Sequence, residues 1–307
     1  MGDEFNMKLI NLVKTDINKV ILSYGFWISV VITTLLCFTS TLYVDNNNKE
    51  YTIIEVLMNF NKDWLLSNIS YEAVKVMEVG LDNKLSMFVT IVSAFPFISS
   101  FCDEINSNFI RYVILRGGKI KYYISKLLCS MITGGMAIAL GYGIFCIIVS
   151  NIFPSTNEYP SQYLALYNEE ITHYGQSLFT KNYYEIGNIV IIISFLIQMF
   201  LYGAYATIPS YILSSFIRNK YVLLSIPFIL KYIFDMWCSK VNILIWVEGK
   251  IKNKIIIFLS NYCNLEILKG LFINKYIYIY VFSYIIIAIL AGVIFSNIMK
   301  RRVDFGQ

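Results

Sequence analysis

Long stretches without a charged side chain alternate along this sequence with shorter, charged connectors. Residues 20–44, 85–102, 127–157, 186–217 and 276–299 contain no Asp, Glu, Lys or Arg. Crossing about 30 Å of hydrocarbon as an α-helix takes roughly 20 residues, so each stretch is long enough to span a bilayer. The spans are placed at 20–44, 85–102, 127–153, 188–216 and 276–299. A sixth, 221–237, is interrupted by Lys231 and Asp235. It is counted because a five-span chain would put Lys300, Arg301 and Arg302 on the side away from the other basic clusters. The apolar stretch 255–265 is too short to cross. It predicts a re-entrant or interfacial segment over 255–272.

Before the first span, Phe5, Leu9, Leu12, Val13, Ile17 and Val20 recur at three- and four-residue spacing, while Lys8, Asn11, Lys14 and Asn18 fall on the other side. This is the period of an amphipathic helix, predicted over 5–19 in the membrane interface; a plain extension of span one is the other reading. The connectors 45–84 and 154–187 are each over thirty residues long and carry scattered apolar positions. Small helical caps are expected there. The fold class is therefore an all-α membrane protein, a single domain over 1–307, with six transmembrane helices and an N-terminal interfacial helix.

Charge sets the orientation. Lys8, Lys14 and Lys19 precede span one; Arg111, Arg116, Lys119, Lys121 and Lys126 separate spans two and three. Arg218 and Lys220 separate spans four and five, and Lys300, Arg301 and Arg302 follow span six. In 45–84 and 154–185 acids outnumber bases, whereas 238–275 is mixed. The positive-inside rule then puts both termini in the cytoplasm of a multi-pass plasma-membrane protein. Composition agrees: 57% hydrophobic and 15% charged, against roughly 25% charged in soluble domains.

The chemistry of an enzyme is not evident. No GxxxxGK[ST] phosphate loop occurs; VILRGGKIK has Val113 at the first glycine position and Ile after the lysine. HExxH, GxSxG and EF-hand patterns are missing, and His173 is the one histidine. The six cysteines form no CxxC pair, so no zinc site, metal or cofactor is expected on this chain. Cys238 and Cys263 could pair or stay free. The first apolar stretch is too long for a cleaved signal peptide. Within the spans only Lys231 and Asp235 are charged. Four residues apart, they share a helix face, either as a local ion pair near Trp237 or as part of an ion relay.

The segment DEINSNFIRYVILRGGKIKYY, 103–123, lies between spans two and three. Asp103 and Glu104 stand in what reads as a first helical turn, and Ile105, Phe109 and Val113 share a face. A short surface helix over 103–117 that docks on a soluble partner fits this pattern. A solvated connector with positive-inside charges fits it equally.

This segment resembles the first cytoplasmic loop of the type-two ATP-binding-cassette exporter permeases. In that family a Glu ends span two, a short coupling helix follows, then a basic and a small residue, then a Lys leading into span three. The matching positions are Glu104, the stretch 105–115, Arg116 with Gly117, and Lys126. SSFIRNKYVLLSIPFIL, 214–230, is similar to the family's turn between spans four and five, and KLINLVKTDINKVILSYGFW to its interfacial helix.

The resemblance implies a bacterial export permease that is not itself an enzyme. ATP and Mg would sit on two copies of a separate ATPase subunit. The permease would pair with itself or with a sister permease, in lipid, with no nucleic-acid partner. Residues Glu104, Phe109, Arg111, Arg116 and Gly117 of the coupling helix would dock the ATPase. The cargo suggested by relatives in Gram-positive operons is an antimicrobial or other peptide, or a lipid or drug. Two other classes compete: a gradient-driven transporter or channel built on Lys231 and Asp235, and a non-transporting sensor or immunity protein whose loops bind a peptide.

Overall fold

The computed structural model describes residues 2–45, 48–66, 71–81, 84–106, 114, 118–155, 188–217, 219–248 and 277–304. The chain is mostly helical. It runs α1 (Gly2–Ile21), α2 (Tyr24–Phe38), β1 (Thr41–Val44), β2 (Glu50–Thr52), α3 (Ile53–Asn59), α4 (Lys62–Leu66), α5 (Ala73–Gly80) and α6 (Lys84–Asn106). Then come α7 (Lys119–Ile152), α8 (Asn188–Ala206), α9 (Ile208–Leu213), α10 (Lys220–Glu248) and α11 (Ile277–Asp304). Among the described residues three helical stretches are long and apolar enough to cross a membrane: Met87–Glu104, Lys119–Ile152 and Phe195–Leu213. A fourth is added if the bent pair Ile10–Ile21 and Tyr24–Phe38 counts as one. Ile285–Ile298 is a shorter apolar stretch.

The uncharged run 20–44 is not one helix. It breaks at Ser23, whose extended backbone and side-chain oxygen cap α2 by accepting from the Phe26 N–H, and the two helices meet at 63°. α2 ends at Phe38, and Thr41–Val44 pairs antiparallel with Glu50–Thr52. The β-branched and aromatic residues of TLYV favour a pleated strand, and Asn48 takes the left-handed backbone (φ 59°) that a tight reversal needs. The expected span 20–44 is thus corrected to a helix over 24–38 followed by a hairpin.

Other boundaries shift as well: α7 starts at Lys119, ahead of the expected 127. α10 runs as one helix past 237 to Glu248. Within the expected span 188–216, α8 and α9 are separated by Thr207 alone, which keeps helical backbone (φ −77°, ψ −21°), and Phe195–Leu213 continues as one apolar stretch. The stretch 255–272, expected to be re-entrant, and Cys263 lie outside the described residues, as does most of 103–117, where a coupling helix is expected.

The expected caps over 45–84 are present as α3, α4 and α5. Thr52 and Glu55 close a capping box at the start of α3. Tyr43, Tyr51, Phe60, Trp64 and Tyr71 pack ring on ring, with Phe60–Trp64 centroids 3.9 Å apart and Trp64–Tyr71 4.7 Å apart. Burial there pushes the Tyr71 phenol above its ordinary range. α5 is sunk into the bundle: Val76, Met77 and Leu81 are buried, and the Tyr142 hydroxyl of α7 donates to the Met77 carbonyl at 2.8 Å. The Ala73 N–H donates to the Pro154 carbonyl at 3.1 Å, tying the start of α5 to the end of α7.

Where water does not compete, helices associate by close packing and cross-helix hydrogen bonds. α2 meets α7 at Gly141, whose carbonyl accepts from Thr34 Oγ1 at 2.9 Å. A Cβ at Gly141 would lie 2.5 Å from Thr33 Cβ and 2.6 Å from the Val30 carbonyl oxygen, so glycine sets this approach. Two apolar cores result. One, at the cap end, joins α2, α3, α5 and α7 around Ile53, Val76, Met77, Tyr142 and Phe145. The other, at the opposite end, joins α6, α7, α9 and α11 around Phe97, Phe101, Tyr122, Tyr211 and Phe295.

Candidate functional site

The second core is bounded by charge. α1 lies along α7 and α6 with Leu12, Val13, Asp16, Ile17 and Val20 on its packed side. Asp16 therefore interrupts an apolar stripe, and it finds a base. Lys126 Nζ stands 2.8 Å from Asp16 Oδ1 and 2.7 Å from Glu104 Oε2. Lys19 Nζ is 2.9 Å from Glu104 Oε1. Ser125 Oγ donates to Asp16 Oδ2 at 2.8 Å, and the Tyr122 hydroxyl donates to Glu104 Oε2 at 3.2 Å. The Lys126 ammonium also lies 5.3 Å from the centre of the Tyr122 ring.

Two carboxylates and two ammonium groups thus form a neutral chain, Asp16–Lys126–Glu104–Lys19, across three helices. Its middle is dry: the Glu104 and Lys126 side chains are each 5% exposed, against 53% for Lys19. Taking such groups out of water costs several kcal/mol per ion unless each is paired and hydrogen-bonded, and here both central members are. Glu104 sits near the end of α6 and Lys126 near the start of α7. The network therefore closes the two stems of the segment 107–117 on each other and on α1.

The sequence-predicted site residues divide as follows. Glu104 is in this network, and so is Lys126. Phe109, Arg111, Arg116 and Gly117 lie outside the described residues. Just beside them, Ile114 is buried in the second core and its carbonyl accepts from the Gly118 N–H at 2.9 Å, with Gly118 at φ 86°. Lys231 and Asp235 stand four residues apart on α10, Lys231 half-buried. Asp16 and Lys19 were not singled out by sequence reading. Asp16 does fall among the apolar positions of α1, but its partners on α6 and α7 are more than eighty residues away and no local pattern points to them.

Among the described residues no three His, Cys, Asp or Glu side chains gather into a metal-holding group. Cys37, Cys102, Cys129 and Cys146 are buried free thiols. The network's geometry is that of a clamp joining α1, α6 and α7. The chain matches no protein-family model, and no curated protein matches it.

Proposed function

We propose that this chain is the six-span permease subunit of an exporter driven by a separate ATP-binding-cassette ATPase, with residues 103–117 as the element on which the ATPase docks. The observation that carries the reading is the buried network at the base of that segment. With the end of α6 and the start of α7 cross-bound by Glu104 and Lys126, a push on the segment between them would reach both helices. Lys19 and Asp16 extend that connection to α1, and the 63° elbow extends it to α2. Glu104 acts from inside, as a positioning residue; Phe109, Arg111, Arg116 and Gly117 form the contact surface. Phosphate chemistry belongs to the partner.

Both termini are cytoplasmic in this reading, the cap of α3–α5 faces outward, and two permeases assemble with two ATPases. The cargo class that fits best is a peptide, lipid or drug that partitions into the membrane.

Docking helices concentrate binding energy in a few aromatic and Arg anchors. Phe109→Ala and Arg116→Ala should abolish cargo-stimulated ATP hydrolysis by the reconstituted complex, while membrane insertion and thermal stability stay as in the wild type. Stimulation at wild-type level in both variants rules out docking through this segment. Cargo movement that persists without ATP favours a gradient-driven carrier instead.

A further inference from the structure

α2 is short for a membrane span. Its 15 residues rise about 22 Å, against about 30 Å of hydrocarbon. The contacts along it show where the missing height falls. Phe26 and Val30 share a core with Ala137, the Thr34 hydroxyl donates to the Gly141 carbonyl, and the Phe38 and Phe145 rings meet at 4.9 Å. The two helices therefore run parallel. α2 stops at the level of Phe145, while α7 continues to Ile152, about 10 Å further. The α3–α5 cap fills that height. A Cβ at Gly80 would collide with the Phe145 ring, and the Ala73 N–H reaches the Pro154 carbonyl, so α5 is held between those two levels.

The outward side of α7 changes character in the same layer. Ile144 and Ile147 are exposed, Ile147 by 64%. Ser150 and Asn151 follow, also exposed, each donating to the Ile147 carbonyl. An apolar wall that gives way to polar side chains marks the edge of the hydrocarbon. The cap shows the same gradient. Val44 and Met58 are 53% and 80% exposed, and the Tyr43, Tyr51, Phe60 and Trp64 rings are half-buried. Asp45, Lys49 and Glu50 gather at the tip of the hairpin. The Tyr43 hydroxyl donates to Asp45 Oδ1 at 3.3 Å, and the Lys49 ammonium lies 4.7 Å from the centre of the Tyr51 ring. Rings with an apolar body and a polar rim suit the headgroup level of a bilayer.

We propose that the β1–β2 hairpin, α3 and α4 are immersed in the phospholipid headgroup layer of the leaflet at the cap end, with the ring cluster as their anchor. A lipid surface fits these rings better than a docked peptide does. Phe60 stacks on Trp64 and Trp64 on Tyr71, which closes the space between those faces to a ligand side chain. Lipid also continues an existing surface, since α2 turns Trp27, Val31 and Leu35 outward below the hairpin. The cap then supplies the wall that α2 is too short to build. The inference rests on helices that cross a bilayer and is independent of what powers the protein.

Depth-dependent quenching tests the placement. The full-length chain carrying Trp27→Phe, Trp237→Phe and Trp246→Phe keeps Trp64 alone. It is reconstituted in phosphatidylcholine–phosphatidylglycerol vesicles whose acyl chains are brominated either near the headgroup or near the chain end. Iodide on both sides serves as the aqueous quencher. Shallow bromine should quench Trp64 about twofold more than deep bromine, with iodide weaker than either. Met58→Trp in a chain that also carries Trp64→Phe places a second reporter at an exposed position and should give the same order. Stronger quenching by iodide, stronger quenching by deep bromine, or no quenching at either reporter overturns the proposal. A chain that keeps only Trp27 calibrates the span. Lipid quenching at Trp27 without any at the cap overturns the cap's placement alone, and lipid quenching at neither overturns the crossing helices with it.

Discussion

Lys126→Met is the most informative single change. It keeps the length of the side chain and removes its charge. In the structure Lys126 Nζ lies within 2.8 Å of both Asp16 Oδ1 and Glu104 Oε2. Removing one partner of a buried pair costs about 3–5 kcal/mol, because the other charge is stranded. Two features reduce that here. Lys19 still faces Glu104 at 2.9 Å, and Asp16 is 18% exposed, enough to recover some hydration. A loss of about 3 kcal/mol follows, at the low end of the range for buried pairs. Lys19→Met is the control: its own side chain is 53% exposed, and exposed pairs contribute about 0–1 kcal/mol. The assay is reversible unfolding in mixed micelles, with denaturing detergent as the titrant and intrinsic tryptophan fluorescence as the signal. Glu104→Gln combined with Lys126→Met leaves Lys19 and Asp16 near the surface and no charge in the dry centre. The double variant should be more stable than the sum of the single losses, by a coupling of 0.5–3 kcal/mol or about that size. If Lys126→Met costs no more than Lys19→Met, the network is not a buried clamp and the mechanical argument built on it fails.

Two further changes probe the packing around the site. Gly141→Ala would force α2 off α7, since the new methyl meets Thr33 Cβ at 2.5 Å and the Val30 carbonyl at 2.6 Å; overpacking of this kind costs about 1–3 kcal/mol, read by the same unfolding titration. Tyr142→Phe removes the 2.8 Å bond to the Met77 carbonyl and should cost about 1 kcal/mol. Amide exchange should quicken over Ala73–Gly80 and stay unchanged in α1; equal exchange in α5 would show that the bond does not hold it.

Much of this architecture is legible in the sequence, for physical reasons that also mark where reading stops. Uninterrupted apolar runs locate α6 and the end of α7 to within a few residues, because bilayer thickness sets both length and composition; the start of α7 at Lys119 is missed, because its first turns carry Lys119, Lys121 and Lys126. The same criterion misreads 41–44. TLYV is as free of charge as a span, and only its β-branched residues and the Asn run after it signal a hairpin. The junction of α8 and α9 is hidden for a related reason: Thr207 and Pro209 are apolar enough to pass, and Thr207 keeps helical backbone. At the candidate site, Glu104 and Lys126 stand out by their positions at the two ends of a charged segment. Asp16 and Lys19 do not, because a charge on an interfacial helix is ordinary until the partner helix is known. Their distance in sequence from Lys126 and Glu104 places that information beyond any local pattern.

The burial of α5 has a consequence for how the protein is made. Met77 and the hydroxyl that binds it are 65 residues apart, and Met77 is synthesised first. At ribosomal rates of about 5–20 residues per second, α5 waits roughly 3–13 seconds before Tyr142 exists. During that interval Val76, Met77 and Leu81 have no α7 to cover them. A nascent chain stalled before α7 should therefore present this helix to membrane chaperones or to proteases, and release of the stall should withdraw it.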